Sequence, residues 1–232
     1  MTFKRSVVSA AVLGASVFSG GAVAGVSGNV GVSSQYLFRG IEQNGDAAVS
    51  GGLDYAHDSG FYVGTWASTI NFNGVSASGV STEVDLYAGF SGEAGSLSYD
   101  LGAIYYWYPE EGELDPKPDP SNNTFELYGS LSFGPATIGL YYSLADYFAV
   151  TDEGVMYPYL DLSFPMSDKL SLDLHVGQQT FEEDGIEDIV DYSIGVSADA
   201  GNGFSMGLAF VATDIDDDDP KLVVSGSYSF DL

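Results

Sequence analysis

Few residue types in this sequence are able to carry out chemistry, and they are heavily skewed towards carboxylates. The chain of 232 residues holds 33 acidic side chains, six lysines and arginines, two histidines and no cysteine. Without cysteine, disulfides and thiolate metal sites are excluded. A hydrolytic triad needs a nucleophile, a histidine and a carboxylate or carboxamide held together. The two histidines, His57 and His175, fall at a tight turn and on the polar face of a strand, so no catalytic residue is assigned and enzyme activity is not expected. The run Asp214-Ile215-Asp216-Asp217-Asp218-Asp219 suggests calcium chemistry, but it lacks the Gly at the sixth and the Glu at the twelfth position of an EF-hand loop. It reads as a solvated loop with at most loose divalent binding, and so does Glu110-Glu111-Gly112-Glu113; no metal site and no cofactor are expected.

Charge narrows the partners. The formal net charge is −27, and beyond residue 24 the only basic side chains are Arg39, Lys117, Lys169 and Lys221. Such a surface repels phosphate backbones and excludes nucleic-acid binding. Acidity of this degree is also a mark of disorder or of adaptation to salt. Disorder is excluded by 16 Tyr, 14 Phe and a hydrophobic fraction of 45%.

The first 24 residues read as a signal peptide. Lys4 and Arg5 form a basic start, Val7 to Phe18 an apolar core, and Ala22-Val23-Ala24 a small-x-small triplet, which predicts cleavage before Gly25. Residues 25–232 would then be one exported domain.

Beyond residue 24 no apolar run is long enough for a membrane helix. Period-two alternation recurs instead, bounded by Gly, Asp, Asn and Pro, and it predicts twelve strands. The first spans Val26 to Phe38, with Val26, Val30, Val32, Tyr36 and Phe38 on one face. The fifth aligns Leu97, Tyr99, Leu101, Ala103, Tyr105 and Trp107, and the twelfth Leu222, Val224, Tyr228, Phe230 and Leu232. The third, Phe61 to Ile70, is apolar on both faces at its start, which leaves its phase open.

Connectors alternate in length. Tight turns at His57 to Gly60, Gly92 to Gly95, Gly134-Pro135, Pro165 to Lys169 and Asp199 to Gly203 alternate with longer loops near 39–46, 71–80, 109–123, 146–154, 178–187 and 213–220. Short turns on one side and long loops on the other are the habit of outer-membrane barrels, which have an even strand count. The predicted fold is therefore all-β: a 12-stranded antiparallel transmembrane β-barrel, a meander with periplasmic turns and extracellular loops. A soluble sandwich would show the same alternation but not the ordered alternation of connectors. Most acidic residues fall in the long loops. Among those in strands, Asp54, Glu83, Asp85, Asp100, Glu126, Asp161, Asp173, Asp191 and Asp231 lie opposite the apolar face. Tyr36, Phe38, Tyr105, Trp107, Tyr142 and Phe164, near strand ends, suit interfacial girdles.

The segment Ser34-Gln35-Tyr36-Leu37-Phe38-Arg39-Gly40-Ile41-Glu42-Gln43 resembles the TorF family of porin-like bacterial proteins, long catalogued as conserved proteins of unknown function. The likeness continues through Gly51 to Tyr55, Ser59 to Ser68, Glu83 to Gly89, Tyr99 to Gly102 with Tyr105 to Pro109, and Glu126 to Gly129. The resemblance implies a channel in the outer membrane of a Gram-negative bacterium, surrounded by lipid and lipopolysaccharide, and supplies no solute. Here Phe230 is followed by Asp231-Leu232, whereas a terminal Phe is common in such proteins; Leu232 keeps the final outward position apolar.

A barrel of 12 strands is intermediate between filled and water-filled ones, so a narrow or plugged pore is expected. The carboxylates of Asp54, Glu83, Asp85, Asp100, Glu126, Asp161, Asp173 and Asp191 would line the lumen and favour cations over anions in passive diffusion of small solutes. Arg39 is predicted to point inward near the outer mouth, paired with Glu42, Glu83 or Asp85, either as a constriction charge or as a structural salt bridge. Tyr87, Tyr106, Tyr128 and Tyr141 would line a solute track or fill the lumen with hydroxyls bonded to carboxylates. A non-conducting structural or adhesive barrel is the alternative. Monomer and trimer both remain open.

Overall fold

The computed structural model describes residues 24–71, 79–113 and 119–232. The predicted signal peptide, apart from Ala24, and parts of the predicted loops 71–80 and 109–123 lie outside the described residues. Fourteen strands follow one another: β1 (Gly25–Ser33), β2 (Tyr36–Phe38), β3 (Ile41–Asn44), β4 (Ala48–Ala56), β5 (Phe61–Thr69), β6 (Thr82–Ala94), β7 (Leu97–Trp107), β8 (Thr124–Phe133), β9 (Ala136–Ser143), β10 (Val155–Ser167), β11 (Leu170–Phe181), β12 (Ile189–Gly201), β13 (Phe204–Thr213) and β14 (Lys221–Asp231). Twelve of them close into an antiparallel barrel in sequence order, and β2 and β3 form a separate hairpin. Closure is made by β1, which pairs with β4 on one side (Val30 opposite Gly51) and with β14 on the other (Val30 opposite Tyr228). A closed ring satisfies every ladder hydrogen bond without an edge, the condition for crossing lipid with strands.

Alternation decides which side chains meet lipid. Val30, Leu53, Val63, Leu86, Leu101, Leu127, Ile138, Met156, Val176, Ile194, Leu208 and Val224 are exposed on the outer surface, one from each barrel strand. Their inward neighbours are polar or aromatic, as in Asp54, Tyr62, Asp85, Glu126, Tyr157 and Asp191, all buried. This is the apolar-out, polar-in dyad of a membrane barrel. It also fixes the phase of β5, where Phe61 and Val63 face out while Tyr62 and Ser68 are buried inside. Trp107, Tyr105 and Phe164 are exposed near strand ends, at girdle height.

The structure corrects the first predicted strand. β1 stops at Ser33, because the Ser34 amide bonds to the Val224 carbonyl (2.8 Å) and the Ser34 hydroxyl accepts from the Val224 amide (3.0 Å). The chain then folds inward as the β2–β3 hairpin, so Tyr36 is buried in the lumen and Phe38 packs there; neither serves in a girdle. Two predicted turns are also shorter than expected. β6 runs to Ala94, paired with Leu97, which leaves Gly95-Ser96 with Gly95 at φ +69° as a two-residue hairpin turn. β10 runs to Ser167 through a bulge at Met166, next to Pro165, and a bulge is a place where a strand tolerates proline.

Candidate functional site

The lumen divides into an outer half packed with side chains and a more accessible periplasmic half. Two extracellular loops fold inward into the outer half: the segment between β1 and β4, carrying the hairpin, and the segment between β9 and β10, carrying Tyr147 and Phe148. Leu37 turns to one wall, packing with Ala209, Val211 and Val223 of β13 and β14. Tyr36 and Phe38 turn to the other, where Tyr36 meets Trp66 edge-on (5.6 Å between centroids) and Phe38 meets Tyr106 (5.5 Å) and Phe148 (5.2 Å). The hairpin thus spans the bore. Four non-glycine residues of these loops, Arg39, Asp146, Phe148 and Ala149, have φ between 42° and 58°. Such left-handed backbone costs of order 1–3 kcal/mol per residue and persists only where surrounding contacts impose it.

The hairpin tip is Arg39-Gly40. Arg39, 3% exposed, makes a forked ion pair with fully buried Glu126 of β8, through Nη1 to Oε1 (2.8 Å) and Nη2 to Oε2 (2.7 Å). Nη1 also donates to the Tyr147 hydroxyl (2.9 Å), which in turn donates to Oε1 of Gln179 (2.6 Å). The guanidinium carbon lies 4.2 Å from the ring centre of Tyr157, 4.6 Å from Phe38, 5.0 Å from Tyr141 and 5.9 Å from Tyr147. The partner is therefore Glu126 rather than Glu42, Glu83 or Asp85. Glu83 is already held by hydroxyls, those of Tyr36 and Tyr108 at 2.6 Å each.

Gly40 is what lets the tip reach the far wall. It has φ +78°, and a Cβ placed on it would lie 2.6 Å from Cγ2 of Thr213 and 2.8 Å from Cβ of Asp191. Gly40→Val is expected to unseat the hairpin while leaving the barrel closed. Limited proteolysis in detergent should then cut within residues 34–47 much faster than in the wild type, and equal rates would remove Gly40 as a seat.

All eight acidic positions named from the sequence lie on strand faces turned inward, but in different company. Glu83, Asp85, Glu126 and Asp191 are buried in the outer half beneath the two loops. Asp85 sits opposite Trp66 and Tyr106 in neighbouring strands, and neither of its oxygens meets a donor among the described residues. Asp54 accepts from the Tyr87 hydroxyl. Asp100 accepts from Tyr62 (2.6 Å), whose hydroxyl also meets that of Tyr128 (2.5 Å). Asp173 accepts from Ser163 and Ser197, each at 2.7 Å. Asp161 bonds Nδ1 of His175 (2.5 Å), yet its side chain is 47% exposed, so the periplasmic half admits solvent. Nε2 of His175 faces Asp191 (3.0 Å) and the Tyr157 hydroxyl (2.8 Å). With both nitrogens committed, His175 presents neither to a nucleophile. Among the described residues no three His, Asp or Glu are grouped to hold a metal ion.

A row of rings lines the wall from β8 to β11: Tyr128–Tyr141 (5.2 Å), Tyr141–Tyr159 (6.0 Å), Tyr157–Tyr159 (6.1 Å) and Tyr159–His175 (6.2 Å). Several of these tyrosines reach over glycines of adjacent strands. A Cβ on Gly102 would lie 2.4 Å from the hydroxyl oxygen of Tyr128, and one on Gly177 2.2 Å from that of Tyr157. Sequence reasoning missed Tyr147, Phe148 and Tyr157. Tyr157 was legible, since it alternates with outward Met156; the two loop aromatics carried no periodic signal.

The outer acidic loops are tied to the barrel rather than left bare. Asp214 accepts from the Val190 amide (2.7 Å). Although burial opposes it, bonds from the Lys221 ammonium (2.5 Å) and the Thr213 hydroxyl (2.8 Å) hold the Asp218 carboxyl below its usual range. Glu111 likewise accepts from Ser121 (2.6 Å) and the Asn122 amide (2.9 Å). These bonds engage three carboxylates of the two clusters.

A closed 12-stranded barrel with an apolar outer belt, a polar bore and inward-folded outer loops defines a porin-like outer-membrane β-barrel protein. Residues 19–228 match the family described as "Bacterial protein of unknown function (Gcw_chp)", and the chain belongs to that family. Among solved structures it is similar to the KdgM porin, at 10% identity and a TM-score of 0.58, over 88% of this chain and 99% of that one. It is similar also to the NanC porin, at 10% identity and a TM-score of 0.56, over 89% of this chain and 100% of that one. A second KdgM structure, described as a complex with disordered oligogalacturonate, matches at 8% identity and a TM-score of 0.58, over 88% of this chain and 98% of that one. No curated protein matches the sequence.

Proposed function

We propose that this protein is an outer-membrane porin of the TorF kind, which passes small solutes by diffusion and weakly prefers cations. The observation that carries the reading is the charge of the bore. Glu83, Asp85, Glu126 and Asp191 are buried in its outer half, and Arg39 is the only buried lysine or arginine among the described residues. A carboxylate-rich constriction in a low-dielectric wall attracts cations and repels anions. The same argument sets this chain apart from the KdgM porin, whose described ligand, oligogalacturonate, is a polyanion. The surroundings would be lipid and lipopolysaccharide.

In planar bilayers under a KCl gradient, the reversal potential is expected to show potassium preferred over chloride, and Asp100→Asn with Asp161→Asn should reduce that preference. Chloride preference in the wild type would rule out the selectivity. One observation favours a second reading, a non-conducting structural barrel: the hairpin packs across the outer half of the bore, on β13 and β14 at one side and on Trp66 and Tyr106 at the other. Absence of conductance both in the wild type and in variants that free the hairpin would support it.

A further inference from the structure

We propose that the cage around Arg39 is a binding site for guanidinium-bearing solutes, which Arg39 occupies as a tethered ligand when the pore is closed. Three of its members, Glu126, Tyr141 and Tyr157, stand on the barrel wall; Tyr147 comes from the β9–β10 loop, and only Phe38, 4.6 Å from the cation's centre, belongs to the hairpin. Glu126 of β8 supplies a carboxylate aligned for two parallel N–H bonds, at 2.8 and 2.7 Å. Tyr141 of β9 and Tyr157 of β10 present ring faces 5.0 and 4.2 Å from the cation's centre. Tyr147, on the β9–β10 loop, offers a hydroxyl oxygen at 2.9 Å whose own proton goes to Gln179, so it is oriented to accept.

Each component suits a planar, delocalised cation. A forked carboxylate matches two guanidinium N–H groups and cannot be served equally by an ammonium, and aromatic faces attract guanidinium more readily than a strongly hydrated point charge. Arg39 itself reaches the cage from a separate hairpin, and the wall residues are fixed by barrel pairing that does not depend on it: Glu126 opposite Ser143, Tyr141 opposite Tyr128 and Tyr157. Withdrawal of the hairpin removes Arg39 and Phe38 and leaves Glu126, Tyr141 and Tyr157 on the wall, with Tyr147 held beside them by Gln179. Excess carboxylate nearby, from Glu83, Asp85 and Asp191, would draw cations to the site. The site is inferred from geometry alone; that a solute bound there is on a transport route rests on the porin reading.

The test is chemical rescue. Arg39→Ala, refolded in detergent, is titrated with guanidinium chloride or methylguanidinium at millimolar levels, with thermal unfolding and Trp fluorescence as readouts. Both cations are expected to raise the unfolding temperature, with an apparent affinity about tenfold above sodium or ammonium at equal ionic strength. Arg39→Ala combined with Glu126→Gln should lose the response. Equal effects of guanidinium and ammonium, or an undiminished response in the double variant, would overturn the site. If Arg39→Ala does not fold, Arg39→Gln, which keeps much of the stem but leaves the cage without a tethered cation, is judged by the same criteria. Conductance of the wild type with guanidinium on the outer side is measured separately. Binding without any current change retains the site and removes it from transport, whereas a current change without selective binding overturns the site.

Discussion

Glu126→Ala is expected to raise single-channel conductance and to lower the stability of the barrel by about 3–5 kcal/mol, the usual cost of stranding one member of a buried ion pair. Arg39 would remain among the rings of Phe38, Tyr141 and Tyr157 with nothing to neutralise it. The Tyr106 hydroxyl, which donates to Glu126 at 3.2 Å, would lose its acceptor too. The cheaper outcome is for the hairpin to leave, carrying the charge to water. That predicts an asymmetric result: larger or more frequent openings together with a lower unfolding midpoint in detergent. The leucine isostere is a useful companion, because it fills the volume and still strands Arg39. Unchanged conductance and an unchanged midpoint in both variants would mean that the pair does not hold the hairpin.

The second large effect is expected on the opposite face. Leu101, near the middle of β7, is 61% exposed on the outer surface between Phe90 and Gly129 of the neighbouring strands. Arginine facing lipid near the bilayer midplane costs about 2–4 kcal/mol. Leu101→Arg should therefore sharply reduce the folded fraction in phospholipid vesicles, read as loss of the compact band on unheated gels, whereas Leu101→Phe should fold normally. In a soluble barrel an exposed arginine at this site would be harmless, so normal folding of Leu101→Arg would contradict the membrane placement of this surface.

Much of this architecture was legible because a strand's period is two and lipid tolerates no exceptions on one face. Leu86, Leu101, Leu127 and Val224 announce the outer surface, and the carboxylates between them necessarily point in. The connectors gave direction, since turns such as Gly134-Pro135 are too short for anything but a hairpin. Parity failed at Tyr36 and Phe38, because alternation continues smoothly past Ser33 and nothing in the local sequence says that the pairing partner has changed. That decision is made by Val224, 190 positions away. The partner of Arg39 was illegible for the same reason. Glu42 is near in sequence, but the ion pair bridges 87 positions and depends on how far a tip ending in Gly40 can reach. Loop aromatics such as Tyr147 and Phe148 offer no period at all, and only the closed bore gives them a place.

The hairpin's seat has a consequence for the order of assembly. Its entry bend is tied to Leu222 and Val224 of β14, Leu37 packs on β13 and β14, and Gly40 abuts β12 and β13. The segment is made early but its resting place is made last, and contacts this distant in the chain form late. Seating of the tip that bears Arg39 is therefore tied to closure of the seam: the contacts that hold it include both strands at the end of the chain, so a ring still open between β1 and β14 offers only part of its seat.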